Sequence, residues 1–523
     1  MDREPALPSF QTQLRKTLTG LTHPHENGEP NEDTPLLNNG RIIHNGNGNG
    51  NGNGNGNGNG NGFASHHRHG GGAWEFFFNS QHTPGTDNPK PWVKYLAHTW
   101  HITKATLLSS PVNILLVAVP IGIVAGQAGW DPVAVFVINF FAIIPLAAVL
   151  SFATEEISVK LGEALGGLLN ATFGNAVELI VSIIALRDRQ IEVVKSSMIG
   201  SILSNLLLVM GMCFFFGGIV NMRDEEGHGQ EQSFQSITAQ TTASLMTLSA
   251  ASMILPGTLF MIINGADKED KDERNKIVLS LSRGTAIILL LLYVLYLWFQ
   301  LRTHHKLFSA EAGAVSEPTR NGAQLHTEAA AENIRQAVIP EDDEESEEET
   351  HMSPWSAGAV LIVTTVLVSI CADYLVDSID ALVERAHISR SFIGLILIPI
   401  VGNAAEHVTA VVVAIKNKMD LAMGVAIGSS IQIALFVTPF LVVLGWIMDR
   451  EMDLHFETFE TVSFALAVLV VIYTVQDGKS NYLEGAMLMA LYVIIALAFF
   501  VTPSQYFDTD WVVGKLGGLL SST

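Results

Sequence analysis

The sequence predicts an all-α integral membrane protein of about 11 transmembrane helices, one N-terminal helix followed by two inverted five-helix repeats. Three observations predict it. The chain of 523 residues is 48% hydrophobic but only 15% charged, and its charge is gathered into segments. The uncharged stretches between those segments are long enough to cross a bilayer. A Gly-Asn-Ala-x-Glu motif occurs twice, each time inside such a stretch.

A hydrocarbon core needs about 20 apolar residues per helix. Runs of that size begin near Pro111. The first covers 111–130, the second 132–154, and the third 164–186, with one charge at Glu178. The fourth is 196–222, the fifth lies within 232–266, and the sixth is 277–301. After a polar segment the seventh runs from about Trp355 to Glu384, dotted with Asp373, Asp377 and Asp380. The eighth, 391–415, again holds one charge, Glu406; the ninth, tenth and eleventh are 421–448, 461–476 and 485–501. The expected domains are a tail over 1–99, a first helix over 100–131, a first repeat over 132–301, an acidic loop over 302–352, a second repeat over 353–505 and a tail over 506–523.

The N-terminal tail carries an Asn-Gly tract over 45–62 and then His66, His67, Arg68 and His69. Such a tract cannot bury apolar surface, so the tail is expected to be disordered. Glu32-Asp33-Thr34-Pro35-Leu36-Leu37 fits an acidic dileucine sorting pattern. No apolar h-region precedes residue 30, so no cleavable signal peptide is expected. In the central loop, Glu341, Asp342, Asp343, Glu344, Glu345, Glu347, Glu348 and Glu349 form a nearly unbroken run of carboxylates. Like charges repel, which makes a solvated strip; a weak multi-oxygen Ca2+ sensor is the functional alternative.

A net charge of −22 argues against nucleic acid as a partner. Cys213 and Cys371 both sit in apolar runs, so neither a disulfide framework nor a Cys-type zinc site is expected.

Gly174-Asn175-Ala176-Val177-Glu178 matches Gly402-Asn403-Ala404-Ala405-Glu406 at a constant offset (406 − 178 = 228). The offset also pairs Gly166 with Gly394, Gly200-Ser201 with Gly428-Ser429, and Glu156 with Glu384. If spans two to six and seven to eleven are the two copies, each has five helices. An odd number makes the second copy enter the membrane from the opposite side. The two motifs then meet near the bilayer centre, as in an alternating-access transporter.

A carboxylate at mid-membrane costs about 2.5–3.5 kcal/mol on insertion scales, so Glu178 and Glu406 ask for a function. The plain structural alternative is a protonated Glu bonding between helices. Two facing carboxylates suit a divalent cation, and Ca2+ takes 6–8 hard oxygens. Asn175 and Asn403, three residues earlier, add amide oxygens on the same helix face. Gly174 and Gly402 permit a local helix break that frees backbone carbonyls. Two neighbouring carboxylates in a dry site cannot both stay charged without a counter-ion. Protons would therefore load as Ca2+ leaves, and competition for one site yields exchange. Glu156 and Glu384 are candidates for proton relay or cation attraction, and equally for interfacial charges. His407 adjoins Glu406 and is a candidate to tune it. Ser201 and Asn205 on the fourth span, and Ser429 and Gln432 on the ninth, are pathway candidates; small-residue helix packing is their bland alternative.

The passages Leu168–Ser182 and Pro399–His407, both built on these motifs, resemble the two signature repeats of the cation/proton exchanger (CAX) family of vacuolar Ca2+/H+ antiporters. The resemblance covers about residues 100–505 and includes the acidic loop; fungal members look most similar. It implies the Na+/Ca2+ exchanger superfamily fold and a vacuolar membrane location. It also implies a cytosolic N-terminus, a luminal C-terminus, and loading of the vacuole with Ca2+ by its proton gradient, with no cofactor and no enzymatic activity. The Asn-Gly tail lies outside it.

The rivals are a Na+-coupled exchanger of the same superfamily, an exchanger of Mn2+ or another hard divalent ion, and, from another class, a cation channel or an intramembrane enzyme; for the last, Asp373 and Asp377 resemble an acidic pair but no partner motif accompanies them. Na+-coupled members resemble this chain in the motifs but add acidic or amide residues in the following helices. Spans four and nine here offer Ser201, Ser204, Asn205, Ser429 and Gln432 and no carboxylate, which favours H+. A channel usually needs subunit symmetry around a pore, whereas the symmetry here is internal.

Overall fold

A computed structural model describes residue 83 and residues 90–161, 163–223, 227–264, 271–304 and 352–501. The chain divides after Gly71 into two units, and every described residue belongs to the second. The Asn-Gly tract, the dileucine pattern, the His cluster, the carboxylate run Glu341–Glu349 and the C-terminal tail lie outside the described residues.

The first helix, α1 (Pro91–Leu108), starts ahead of the expected boundary at residue 100, with Pro91 at a position where its missing N–H costs nothing. It is followed by α2 (Pro111–Gln127) at a bend of 111°. Pro111 causes the bend: the residue before a proline is pushed out of the helical region, and Ser110 is extended at φ −145°, ψ 141°. The single first helix expected over 100–131 is therefore two.

The first repeat contains α3 (Pro132–Leu161), α4 (Glu163–Phe173), α5 (Ala176–Arg187), α6 (Ile191–Val220), α7 (Ser236–Asn264) and α8 (Lys271–Trp298). The second contains α9 (Pro354–Asp377), α10 (Ile379–Ala386), α11 (Arg390–Ile415), α12 (Met419–Ile447), α13 (Thr458–Thr474) and α14 (Tyr482–Val501). One two-residue ladder interrupts the all-helical pattern: β1 (Gln232–Ser233) pairs antiparallel with β2 (Lys479–Ser480).

Eight of the described helices are long and apolar enough to cross a membrane, and the bent α1–α2 pair makes nine. The other two expected spans fall short of that measure. α4–α5 is broken in the middle, and α13 has only 17 residues. Every expected apolar run is nevertheless helical.

Elements of the two repeats follow the sequence offset. α6 starts at Ile191 and α12 at Met419 (419 − 191 = 228). Each carries an internal stretch of wider π-helical turns, Ser204–Val209 and Ile433–Val437, both ending at offset-related valines (437 − 209 = 228). Such insertions favour functional positions because they shift the register of the side chains beyond them. The turns before α6 and α12 also match: Arg189 and Asn417 take positive φ of 62° and 61°.

The contacts between loops define two faces. On face one, Glu156 at the end of α3 accepts from the Met352 backbone N–H, Gln232 donates to Ala414 O, and Asn221 donates to Ile415 O. On face two, Arg187 pairs with Asp188 and Asp373, Arg385 with Asp131, Arg390 with Asp380, and Lys195 with Asp453. Each repeat thus runs through the structure in the sense opposite to the other. The buried core is centred on α6, whose residues from Ser196 to Leu207 are all buried.

Candidate ion-exchange site

The two motifs meet. α4 ends at Phe173 and α5 begins at Ala176, with Asn175 between them at φ −101°, ψ 27°. Gly174 N–H still bonds Asn170 O at 2.8 Å, so the chain turns without leaving the helical direction for long. α11 behaves differently: it runs unbroken through Gly402 and Asn403, and its irregularity lies earlier, in π turns over Ile393–Leu397. The expected helix break exists at Gly174 but not at Gly402. Gly402 serves close approach instead. A Cβ built there would stand 2.5 Å from Glu178 Oε1 and 2.9 Å from its Cδ. In the reciprocal contact, a Cβ on Gly174 would lie 3.8 Å from Glu406 Oε1. Each glutamate lies over the glycine of the other motif.

Glu178 is the third residue of α5, a position from which a Glu often caps its own helix. Here neither carboxylate oxygen has a hydrogen-bond partner, and the residue is only 3% exposed. Glu406 is partly exposed, and its Oε2 accepts from Ser429 Oγ at 3.1 Å. Ser429 Oγ also lies 2.9 Å from Asn175 Oδ1, and Asn175 Nδ2 donates to Gln432 Oε1 at 2.6 Å. Asn175 therefore bridges from the first repeat to the second. Its counterpart Asn403 is buried with an unpartnered Nδ2. Ser201, the counterpart of Ser429, has an unpartnered Oγ, and the Asn205 Nδ2 is unpartnered too.

One half of the site is thus a closed hydrogen-bond network, and the other is a set of dry, unsatisfied polar atoms. Buried groups in that condition call for a partner such as an ion or water. Among the described residues no three His, Cys, Asp or Glu side chains come together in metal-holding fashion. The oxygens around a cation at the two glutamates would therefore be completed by amide, hydroxyl and backbone groups and by water. That hard, mixed set suits Ca2+ and disfavours soft metals.

His407 is buried, with Nε2 at 3.2 Å from Ser204 Oγ. It thus ties α11 to the start of the π turns of α6. Glu156 is buried on face one against Met352 N, and Glu384 is exposed on α10 at face two. Sixteen helical residues separate Arg390, at the start of α11, from Glu406, roughly 24 Å of rise. Glu384 therefore lies at the rim of the structure, away from the paired glutamates, where it was expected either to attract cations and relay protons or to be an interfacial charge.

The glycines show which way the site faces. A Cβ on Gly200 of α6 would meet Leu395 O of α11 at 2.2 Å, and one on Gly394 would meet Ser196 Cβ at 2.7 Å. α6 and α11 are thus in backbone contact toward face two. The symmetry-related pair is α12 with α4, and around Gly428, the counterpart of Gly200, nothing lies within 4 Å. The structure is sealed between α6 and α11 and parted between α12 and α4. Two features were missed in the sequence: the π turns, which leave no compositional mark, and the buried Glu460 of α13, which sits near a helix end and reads as an interfacial charge.

The family model for sodium/calcium exchanger proteins matches residues 132–302 and 356–501. The vacuolar calcium ion transporter of Schizosaccharomyces pombe is 46% identical over 406 residues, 77% of this chain and 87% of that protein. The Ca2+/H+ antiporter of Aphanothece halophytica is 42% identical over 389 residues, 74% of this chain and 96% of that one. The vacuolar cation/proton exchanger 3 of Arabidopsis thaliana is 40% identical, over 76% and 80%. Among solved structures, native YfkE superposes with a TM-score of 0.58 at 33% identity, over 75% of this chain and all of that one. An H+/Ca2+ exchanger CAX crystal structure, at 11% identity and a TM-score of 0.50, shares the fold.

Proposed function

Because the chain belongs to the sodium/calcium exchanger protein family, we propose that it exchanges Ca2+ for H+ by alternating access, with Glu178 and Glu406 as the carboxylates that carry either ion. The observation that carries this reading is the cross-repeat contact of Glu178 with Gly402, beside a glutamate that is itself hydrogen-bonded. Two carboxylates at the meeting point of inverted repeats match the charge of one divalent cation. When it leaves, protons take its place, because a pair of bare carboxylates cannot persist in a dry site.

The relatives are named as vacuolar transporters, cation/proton exchangers and antiporters, and the same location is proposed here: a vacuolar membrane, with Ca2+ stored in the lumen. Face one, which carries residues 304 and 352, is then cytosolic. The N-terminus lies on that side and the C-terminus in the lumen. In this conformation the parted α12–α4 pair admits Ca2+ from the cytosol, and the sealed α6–α11 pair holds the lumen shut. Asn175, Asn403, Ser429 and Gln432 position the glutamates and supply oxygens. Glu156 anchors the start of the second repeat through Met352 N.

The test is transport by the purified protein in sealed vesicles. Ca2+ uptake should require an acid interior and ignore a Na+ gradient. Uptake driven only by Na+ would assign the chain to Na+-coupled exchange, and uptake without either gradient would make it a channel.

A further inference from the structure

Glu460 is a second buried carboxylate that the paired site does not use. It lies in the first turn of α13, is 1% exposed, and accepts a short hydrogen bond from Ser196 Oγ of α6. A buried carboxylate is expensive unless it is paired, hydrogen-bonded or protonated. Lys195, a cation that faces it, is held elsewhere: its Nζ lies 2.5 Å from Asp453 Oδ1 and 2.9 Å from His455 O.

The surroundings place Glu460 beside the seal. Ser196 is the residue whose Cβ a side chain on Gly394 would strike at 2.7 Å, so Glu460 touches the α6–α11 contact from behind. α13 continues along α6 as far as the π turns at Ser204. From Ser196 into those turns, α6 carries Ser197, Ser201, Ser204 and Asn205, all buried and spread over more than one face of the helix, and α13 carries buried Ser463. Ser201 Oγ and Asn205 Nδ2 have no partner. From Ser196 to Asn205 is nine residues, about 14 Å of helix rise.

Toward face two, Ser391 and the partly exposed Glu192 and Glu457 come together. Ser391 Oγ donates to Glu192 Oε1 at 3.2 Å and lies 3.4 Å from both oxygens of Glu457, which precedes α13. The charged or titratable groups facing Glu460 are Glu192 and Lys195 of α6, and Glu457, Asp453 and His455 of the segment before α13. Arg390, at the start of α11, is paired with Asp380. α7, which also packs on α13, contributes no titratable residue.

We infer that Glu460 is a proton-carrying residue on the face-two side of the exchange path: it takes a proton from the lumen and passes it past the buried polar residues of α6 toward Glu178. When α6 and α11 part, Glu460 lines the opening and supplies the proton that displaces Ca2+. The carboxylate takes a proton from hydronium of the acid solution at face two, leaving water, then gives that proton up toward the paired site and returns to its starting charge. This rests on the exchange reading above.

The experiment separates two partial reactions of the full-length protein in vesicles. Ca2+/Ca2+ exchange, followed with 45Ca2+ at equal pH on both sides, needs no proton delivery; uptake driven by an acid interior does. Glu460→Gln should lower the acid-driven uptake by at least about tenfold while Ca2+/Ca2+ exchange continues, and Glu460→Asp should restore much of it. Equal loss of both reactions, or of neither, overturns the inference. Should Glu460→Gln not reach the membrane, Ser196→Ala takes its place, with the same split expected in smaller degree and the same outcomes against it. Wild type lacking acid-driven uptake would instead overturn the exchange reading itself.

Discussion

Glu178 lies directly over Gly402, so closely that a methyl group on that glycine would come within 2.5 Å of the carboxylate. The contact joins the two repeats at their shared motif. Gly402→Ala should push Glu178 out of place and lower Ca2+ uptake by about tenfold, near 1.4 kcal/mol of transition-state stabilisation. Gly284→Ala, on α8 with nothing within 4 Å, is the control and should leave uptake unchanged. Initial uptake rates at matched protein amounts decide it.

Ser429 is the single hydroxyl that holds both Glu406 and Asn175. Removing it leaves the buried Asn175 Oδ1 and the partly exposed Glu406 carboxylate each short of a partner; a buried group left so typically costs about 1–3 kcal/mol. Ser429→Ala should therefore weaken Ca2+ affinity, read as a higher apparent KM for uptake. Ser201→Ala removes a hydroxyl that has no partner in this conformation, so it should disturb the resting protein less. Thermal melting of both variants tests that difference.

Gly428 has open space around it, whereas its counterpart Gly200 is pressed against Leu395. Alternation requires the two pairs to exchange these conditions. Gly428→Val should fold and still bind Ca2+, because the side chain fits the parted state. It should not transport, because α12 can no longer close on α4. Calorimetric Ca2+ binding beside uptake measures both; a Gly428→Val protein that transports normally contradicts the exchange of conditions.

Asp131, just ahead of α3, accepts from Val133 N–H and pairs with Arg385. Desolvation acts to raise its pKa, but the Val133 bond and the Arg385 charge together outweigh it and hold the carboxyl below its ordinary value. A depressed folded value means the stabilisation is present above the ordinary carboxylate pKa and is lost as pH falls through the depressed one. Asp131→Ala should lower Tm at neutral pH, with the gap to wild type closing only in strongly acid buffer.

Much of this was legible in the sequence. A charge alone in an apolar run is conspicuous, and the constant offset tied Glu178 to Glu406, Asn175 to Asn403 and Gly200 to Gly428. The offset describes what the repeats share, and so it could not show how they differ. It gave no sign that the helix breaks at Gly174 and continues through Gly402, or that one glycine pair is sealed and the other open. Equivalence in sequence is equivalence under inversion, so it could not show that Glu156 lies buried at one face while Glu384 lies exposed at the other. The bend at Ser110 was readable from Pro111, but the apolar run hid it.

The most direct test of the paired site is 45Ca2+ uptake into sealed vesicles with and without an acid interior, for wild type, Glu178→Gln and Glu406→Gln. Wild-type uptake that depends on the acid interior and vanishes in each variant is the predicted result. Acid-driven uptake that survives in either variant would contradict a site in which both carboxylates carry the ions.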